Sequence, residues 1–381
     1  MKALVVEPPR PGVALRDVPR PGLAAGAVRV RVLEVGICGT DHDIVEGAYG
    51  TPPDGRSDLI LGHENLGVVT EIASEGVGFA PGDLVVATVR RGCGECRFCR
   101  TGQSDFCETG RYRERGIRGL DGYLAEEYVE RPDYLVHVPA SLRDVAVLLE
   151  PMSVVEKAIA QGEKVLERKE PTPGIPADRP RRALVAGTGA IGILAAVVLR
   201  LKGYDVVAID RHGETTPAAT ILRAFGARHV DAAAGLGGVG QRAFDLVVEA
   251  TGSSTLDVAL FDCLAVNGTL VLTGIPDAAA PPAPVATGRL FRELVLANQA
   301  VVGSVNANRT YFEQGVADFA SAERRWPGTL GRLITSRRPI DQFADVLAQR
   351  TGGAIKHVLQ VADAAAGTAG PGSSVPRFDK P

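Results

Sequence analysis

The feature that most constrains this chain is Gly187-Thr188-Gly189-Ala190-Ile191-Gly192. It follows the short apolar run Arg182–Ala186 and opens a helical pattern, Ala190–Leu201. A G-x-G-x-x-G spacing alone says little, but a strand before it and a helix after it give it meaning. Gly187 permits a tight turn, Gly189 lets backbone amides approach a pyrophosphate, and Gly192 lets the helix close onto the strand. The helix N-terminus adds partial positive charge. The pattern continues with an apolar run at Tyr204–Asp210 and a helical stretch to Gly226. Strands at Phe244–Ala250 and Thr269–Gly274 follow, with a helical segment between them. Strands alternating with helices predict an α/β fold with a parallel, doubly wound sheet. Asp210 ends the second strand, 18 residues past Gly192. Its carboxylate can accept both ribose hydroxyls and would repel a 2′-phosphate, which points to NAD. The neighbouring Arg211 can receive that phosphate, which keeps NADP open.

The N-terminal part reads differently. Val28–Val35 alternates apolar and polar residues, the pattern of a half-buried strand. Short apolar runs such as Gly67–Ile72 and Leu84–Val89 are separated by Gly, Pro and Asp, which predicts a mostly β domain. Leu149 to about Arg168 turns helical, and Pro171–Pro180 reads as an exposed connector. A Pro/Ala-rich loop spans Asp277–Pro284, the chain leaves the alternating pattern at Val301, and Ala364–Pro381 reads as a disordered tail. With 381 residues, 45% of them apolar, the chain has room for two or three domains and a sizeable core. A formal net charge of −3 gives no electrostatic reason to expect nucleic acid or an anionic membrane as partner. The first residues meet Pro8 before an apolar core develops, so no signal peptide is expected. The 17 residues between Arg182 and Arg200 are broken by three glycines and Thr188, which suits strand, turn and helix better than a membrane span. The cytoplasm is the default expectation.

Four of the six cysteines form Cys93-x2-Cys96-x2-Cys99-x7-Cys107. In a large chain without a secretion signal such a cluster favours metal over disulfides. Tetrahedral zinc suits four thiolates and would leave no open position, making this metal structural. An iron–sulfur site fits the first three spacings, but the fourth is too long and Glu108, not proline, follows Cys107. Two disulfides are the plain alternative. Cys263 reads as a buried apolar residue. A scattered set carries further metal chemistry: Cys38-Gly39-Thr40-Asp41, Gly62-His63-Glu64 and Glu150-Pro151. Cys, His and carboxylate are all zinc ligands, and three of them plus water make an open, catalytic site. On spacing alone, each is as readily a core residue.

Gly36-Ile37-Cys38-Gly39-Thr40-Asp41, Gly62-His63-Glu64-x2-Gly67, the four-cysteine lobe and the glycine-rich turn occur in the order and spacing of one family. Over roughly residues 1–360 the chain resembles the zinc-dependent medium-chain dehydrogenase/reductase superfamily. Within it, Arg113-Glu114-Arg115-Gly116-Ile117, Glu150-Pro151-Met152-Ser153-Val154-Val155-Glu156-Lys157, and Gly303-Ser304-Val305-Asn306 following Asn298, resemble the glucose 1-dehydrogenase branch. The resemblance implies a GroES-like, mostly β catalytic domain at 1–155 with a zinc lobe at about 90–110. It also implies a Rossmann domain at 156–300 and a return to the catalytic domain at 301–363, before the tail 364–381. Cys38 and His63 would ligate a catalytic zinc, with Glu64 and Glu150 completing the shell directly or through water. Cys93, Cys96, Cys99 and Cys107 would hold the structural zinc. Thr40 would relay the substrate proton, with His42 a candidate continuation. Glu114, Glu150 and Asn306 would contact sugar hydroxyls. Asn298 would lie near the nicotinamide, and Ala190, Ile191, Thr251, Gly252 and Thr273 would complete the cofactor contacts. Where several relatives carry Asn-Arg-Arg, this chain has Asp210-Arg211.

The implied reaction is oxidation of an aldose at C1, with hydride passing to NAD(P) and lactone as product. A polyol, amino-polyol or secondary-alcohol dehydrogenase is the near alternative, and a non-catalytic nucleotide-binding protein the remote one. The implied partner is a small sugar, without nucleic acid or membrane, and the chain would form a dimer or tetramer. Plainer readings stand beside several residues. Glu114 could belong to a solvated charge run among Arg111, Arg113, Arg115 and Arg118. Asn306 could be a turn residue and Thr40 a helix N-cap.

Overall fold

The computed structural model describes residues 1–74, 78–167, 180–276, 285–348 and 353–362. The connector apart from Pro180, the Asp277–Pro284 loop and the tail Ala364–Pro381 lie outside the described residues.

The chain opens with β1 (Lys2–Glu7) and β2 (Arg10–Asp17), then β3 (Val28–Ile37) and α1 (Gly39–Val45). β4 (Leu59–Ile60), β5 (Glu64–Ile72), β6 (Leu84–Ala87), β7 (Arg90–Arg91), β8 (Arg113–Arg115), β9 (Gly119–Leu120), β10 (Glu127–Glu130) and β11 (Leu135–His137) complete the first β region. β1 lies between β2 and β4, while β7, β8 and β9 form a small sheet beside the cysteine lobe. β3 pairs antiparallel with β5 and β10.

The sequence predicts β3 half-buried, but almost all of it is buried. Its polar positions are covered because other strands and loops supply charge partners. Arg29 reaches Glu71 at 2.9 Å and Glu127 at 3.2 Å, and Glu34 meets Arg143 at 3.4 Å and Arg337 at 3.3 Å. Alternation in this strand therefore marks paired charges, not a wet face.

α2 (Leu149–Glu167) leads to β12 (Arg182–Ala186), α3 (Ala190–Leu201), β13 (Asp205–Asp210), α4 (Pro217–Ala224) and β14 (Arg228–Asp231). β15 (Phe244–Glu249), α5 (Ser254–Leu260), β16 (Leu264–Leu272), α6 (Thr287–Leu296), β17 (Ala300–Gly303) and α7 (Arg309–Arg325) follow. The strands form one parallel sheet in the order β14-β13-β12-β15-β16-β17. Numbered from β12, this is 3-2-1-4-5-6, the order of a dinucleotide-binding sheet with its crevice where the order reverses. After Arg182, β12 is apolar and buried because helices cover both faces of such a sheet. α2 packs on α3 and α7 in one continuous core. β12 and α3 have the expected bounds, whereas β16 starts earlier than expected. β17 and α7 fall where the sequence pattern had run out, and α6 lies in the stretch between the Pro/Ala-rich loop and that point.

The chain then crosses back. β18 (Ile334–Pro339) and β19 (Lys356–Gln360) pair parallel, with α8 (Phe343–Leu347) between them in sequence, and β19 lies antiparallel on β3. The larger β sheet therefore runs β11-β6-β5-β3-β19-β18. Among the described residues, no helix is long and apolar enough to cross a membrane.

The glycine-rich turn meets the steric demand expected of it. Gly187 has φ of 100°, in the left-handed region. A Cβ on Gly192 would lie 1.9 Å from the Gly187 carbonyl oxygen. Gly192→Ala must push α3 off β12, so its urea midpoint without cofactor should fall by the equivalent of about 1–3 kcal/mol. An unchanged midpoint would mean that the helix has slack at this contact.

Candidate active site

The first cluster forms where β3 ends beside the start of β5. Cys38 caps α1, and its backbone N–H donates to Asp41 Oδ2 at 2.9 Å. Thr40 is therefore inside the first turn and is not the N-cap. His63 is brought to Cys38, with Nε2 at 3.1 Å from Sγ. The Cys38, His63 and Glu64 donor atoms lie within 4.8 Å of one another. Gly36 makes room, since a Cβ there would sit 2.1 Å from Glu64 Oε2. His63 Nδ1 and Asp41 Oδ1 are 3.4 Å apart, and each is buried without a hydrogen bond. Burial pushes the His63 imidazole down, but Asp41 and the Cys38 sulfur prevail and hold it well above its ordinary value. A thiolate, an imidazole backed by a carboxylate and a further carboxylate form a donor set that suits zinc.

Two partners of this cluster were not anticipated from sequence. One is Asp41, poised at the far nitrogen of His63. The other is Lys356 of β19, 4% exposed, whose Nζ donates to both Glu64 oxygens at 2.7 Å and to the Ile37 carbonyl at 3.3 Å. A lysine and a histidine between Ile355 and the apolar pair Val358-Leu359 were the available signal. Glu150, in the first turn of α2, stands outside the tight group of donors. Burial pushes its carboxyl up to about 7, against the pull of His63 and with the help of Glu64. His42 lies buried in α1, within electrostatic reach of His357.

The four lobe cysteines are brought together, all Sγ atoms lying within 4.8 Å of one another. All six cysteines are free, so the disulfide alternative is not formed. Cys93 Sγ accepts the Cys96 amide and Cys96 Sγ accepts the Cys99 amide, each at 3.4 Å. The Thr109 hydroxyl holds the Cys93 thiol down at about 6, which favours the thiolate that a metal needs. Cys263 is buried, as expected.

All the cofactor candidates except Asn298 gather at the C-terminal ends of the parallel strands. Asp210 accepts from the Thr188 hydroxyl, from the His212 amide at 2.7 Å and from His229 Nε2 at 3.4 Å. Arg211 beside it is exposed. Thr251, Gly252 and Thr273 are organised by Glu249, a fully buried residue not anticipated from sequence. Its carboxylate accepts from the Thr251 amide and hydroxyl, from the Gly252 amide at 3.0 Å and from the Gly274 amide at 3.3 Å. Its carbonyl accepts the Thr273 hydroxyl at 2.6 Å. Asn298, expected near the nicotinamide, instead turns the chain into β17 with φ of 50°, at the N-terminal end of that parallel strand and away from the other cofactor candidates.

Glu114 and Asn306, far apart in sequence, touch. Asn306 Nδ2 donates to Glu114 Oε1 at 2.8 Å. Glu114 is 5% exposed and receives Arg90 Nε at 3.0 Å and Nη2 at 2.9 Å. The solvated-run reading of Glu114 therefore fails, because its charge faces a buried guanidinium. Asn306 does adopt a left-handed turn, with φ of 58°, and makes the Glu114 contact from it. Gly116 packs so closely that a Cβ would meet the Gly62 carbonyl at 2.3 Å, which ties the Glu114 strand to the residue before His63.

Residues 24–140 match the alcohol dehydrogenase GroES-like domain and residues 143–361 match the glucose dehydrogenase C-terminus. A GroES-like domain with a Cys-His-carboxylate cluster, joined to a parallel sheet in dinucleotide-binding order, defines a zinc-dependent medium-chain dehydrogenase/reductase. Within that class the chain belongs to the glucose dehydrogenase family. It is 45% identical over 356 residues to a glucose 1-dehydrogenase of Methanocella arvoryzae, covering 91% of this chain and 96% of that one. It is 40% identical over 367 residues to a glucose 1-dehydrogenase of Thermoproteus tenax, covering 95% and 99%. Among solved structures, a Haloferax mediterranei glucose dehydrogenase in complex with NADP, Zn and gluconolactone matches with a TM-score of 0.84 at 31% identity, covering 95% of this chain and 100% of that one.

A lobe metal held by four sulfurs tolerates no weaker donor at Cys96. Cys96→Ser should lower bound zinc by about one equivalent per chain, measured by elemental analysis after dialysis, and leave the Cys38–His63 metal in place. Unchanged zinc content would remove the lobe from the metal inventory.

Proposed function

We propose that this chain oxidises an aldose, D-glucose or a close relative, at C1 to the lactone with NAD(P)+ as hydride acceptor. The observation that carries the reading is the Glu114–Asn306 contact, in a chain that also gathers Cys38, His63 and Glu64 and is so similar to glucose 1-dehydrogenases over nearly its full length. A hydroxyl-rich substrate needs polar partners, and an ionised carboxylate next to a carboxamide supplies acceptor and donor side by side. Zinc held by Cys38 and His63, with Glu64 or Glu150 directly or through water, supplies Lewis acidity that lowers the pKa of the anomeric hydroxyl. The nicotinamide ring supplies the hydride acceptor.

The chain's own residues do the rest. Asp41 holds the His63 ring, and Lys356 holds Glu64. Thr40, in the first turn of α1, takes the substrate proton at its hydroxyl and passes it outward. Glu114 and Asn306 orient the sugar. The glycine-rich turn and the α3 N-terminus bind the pyrophosphate, and Asp210 accepts from the adenosine ribose, which favours NAD+ over NADP+. Free thiols throughout suit the cytoplasm. A homo-oligomer, dimer or tetramer, fits the exposed Phe291, Val295 and Leu296 on α6 beside the edge strand β17.

Reduced-cofactor formation at 340 nm tests this directly, with zinc-loaded protein, NAD+ and NADP+, and a panel of aldoses, polyols and simple alcohols. Turnover of an aldose is expected; activity confined to polyols or secondary alcohols would reassign the pocket. Cys38→Ala should abolish turnover while circular dichroism and NAD+ binding stay unchanged, and retained turnover would remove Cys38 from the metal. Asp210→Ser should weaken NAD+ about 10- to 100-fold, the worth of charge-assisted hydrogen bonds, and shift preference toward NADP+. An unchanged cofactor ratio would count against Asp210 reading the ribose.

A further inference from the structure

The stretch Glu150–Lys157 ends in a lysine that the mechanism above does not use. Lys157 is 3% exposed inside α2, and its Nζ lies 2.9 Å from Asp105 Oδ2. Asp105 belongs to the lobe, between Cys99 and Cys107, and its side chain is fully buried. Its other oxygen accepts Asn308 Nδ2 at 2.9 Å, and its carbonyl accepts Arg90 Nη1 at 3.0 Å. Lys157 Nζ also donates to the Val305 carbonyl at 2.9 Å. The segment that carries Asn306 is thus held on both sides, by Lys157 at Val305 and by Asp105 at Asn308. The same Arg90 that grips Asp105 also grips Glu114.

We propose that Arg90, Asp105 and Lys157 are positioning residues for the sugar, a buried strut that makes the geometry of the Glu114–Asn306 pair depend on the metal-binding lobe. The proposal rests on the sugar-dehydrogenase reading and deepens it. Three N–H groups, two from Arg90 and one from Asn306, converge on Glu114 Oε1. That arrangement aims Oε2 as the acceptor for a substrate hydroxyl. Apolar residues of similar size would stabilise such an interior as well or better, so the buried charges are explained by placement and not by stability. Arginine is needed at position 90 because a planar fork reaches two acceptors in fixed directions, and an ammonium does not.

The experiment compares wild type with Arg90→Lys, Lys157→Met, the charge-neutral pair Asp105→Asn/Lys157→Met, and Cys96→Ser, each as the zinc-loaded full chain. The KM for the aldose should rise at least about 10-fold in each, while the KM for NAD(P)+ stays within about twofold and kcat changes less than the sugar KM. Arg90→Lys keeps the charge and the test if Lys157→Met does not fold. Equal changes in the two KM values, or a lowered melting temperature with an unmoved sugar KM, would overturn the strut. A wild type that turns over no aldose overturns the functional reading and this proposal together. A wild type that does, with variants whose sugar KM is unmoved, overturns this proposal alone.

Discussion

The antiparallel pairing of β19 with β3, His357 opposite Ile37, is the contact on which the rest of the site depends. It brings the C-terminal part of the described chain back against the strand that ends at Cys38, and with it Lys356. The Lys356 ammonium neutralises Glu64 at 2.7 Å to both oxygens, in a place where an unpaired carboxylate would be costly to bury. The cluster that the metal would occupy is therefore built from three distant segments, residues 36–41, 62–64 and 356. Its integrity depends on the chain having closed. A long-range pairing of this kind forms late and at a cost in loop-closure entropy, but once made it fixes several side chains together.

Carboxylates do most of the organising, and each is neutralised in its own way. Glu64 takes a lysine, Glu114 takes an arginine and an amide, and Glu249 takes backbone amides and a hydroxyl. Glu150 has no such donor among its stated neighbours, and burial pushes it up to about 7. It is the member of the set whose charge state is least fixed by the protein, which suits a group expected to answer to a metal, a water or a sugar hydroxyl. Groups fixed by a dedicated partner position others; a carboxyl pushed up to about 7 can exchange a proton near neutral pH.

Much of this was legible in the sequence, for physical reasons that can be named. β12 and α3 were read to the residue because an inner parallel strand is continuously apolar and a glycine-rich turn admits one geometry. The four cysteines were legible because a metal lobe is local. Cys38, His63 and Glu64 were not legible from spacing, since their neighbourhood is tertiary, and the resemblance to a family supplied them. Glu249 escaped because a charged residue among apolar ones reads as surface until its partner is known, and Lys356, Asp41 and Asp105 because their partners Glu64, His63 and Lys157 lie in other segments of the chain. β3 misled for the same reason: Arg29 and Glu34 looked like a solvent face and are buried pairs. The segment from Val301 carried no clear period, because β17 is a half-exposed edge strand and α7 is a largely polar helix that buries Phe312, Gly315, Phe319 and Ala322 on one side.

Glu114 and Asp210 carry negative charge in opposite settings. The charge of Glu114 is met by a full cation, Arg90, so in the proposed sugar site the carboxylate acts through direction and not through field. The Asp210 carboxylate is met by a hydroxyl, an amide and a His229 nitrogen. Burial pushes Asp210 up, but these donors hold it below its ordinary value, so it stays ionised at neutral pH. A carboxylate offers about four acceptor sites, so three donors still leave room for a ribose hydroxyl. The hydroxyl and the amide carry no net charge with which to cancel its own. Arg211 is exposed and its charge is screened by solvent, whereas the field of a partly buried carboxylate is screened less. That difference in screening is the physical ground for reading the Asp210-Arg211 pair as favouring the unphosphorylated ribose.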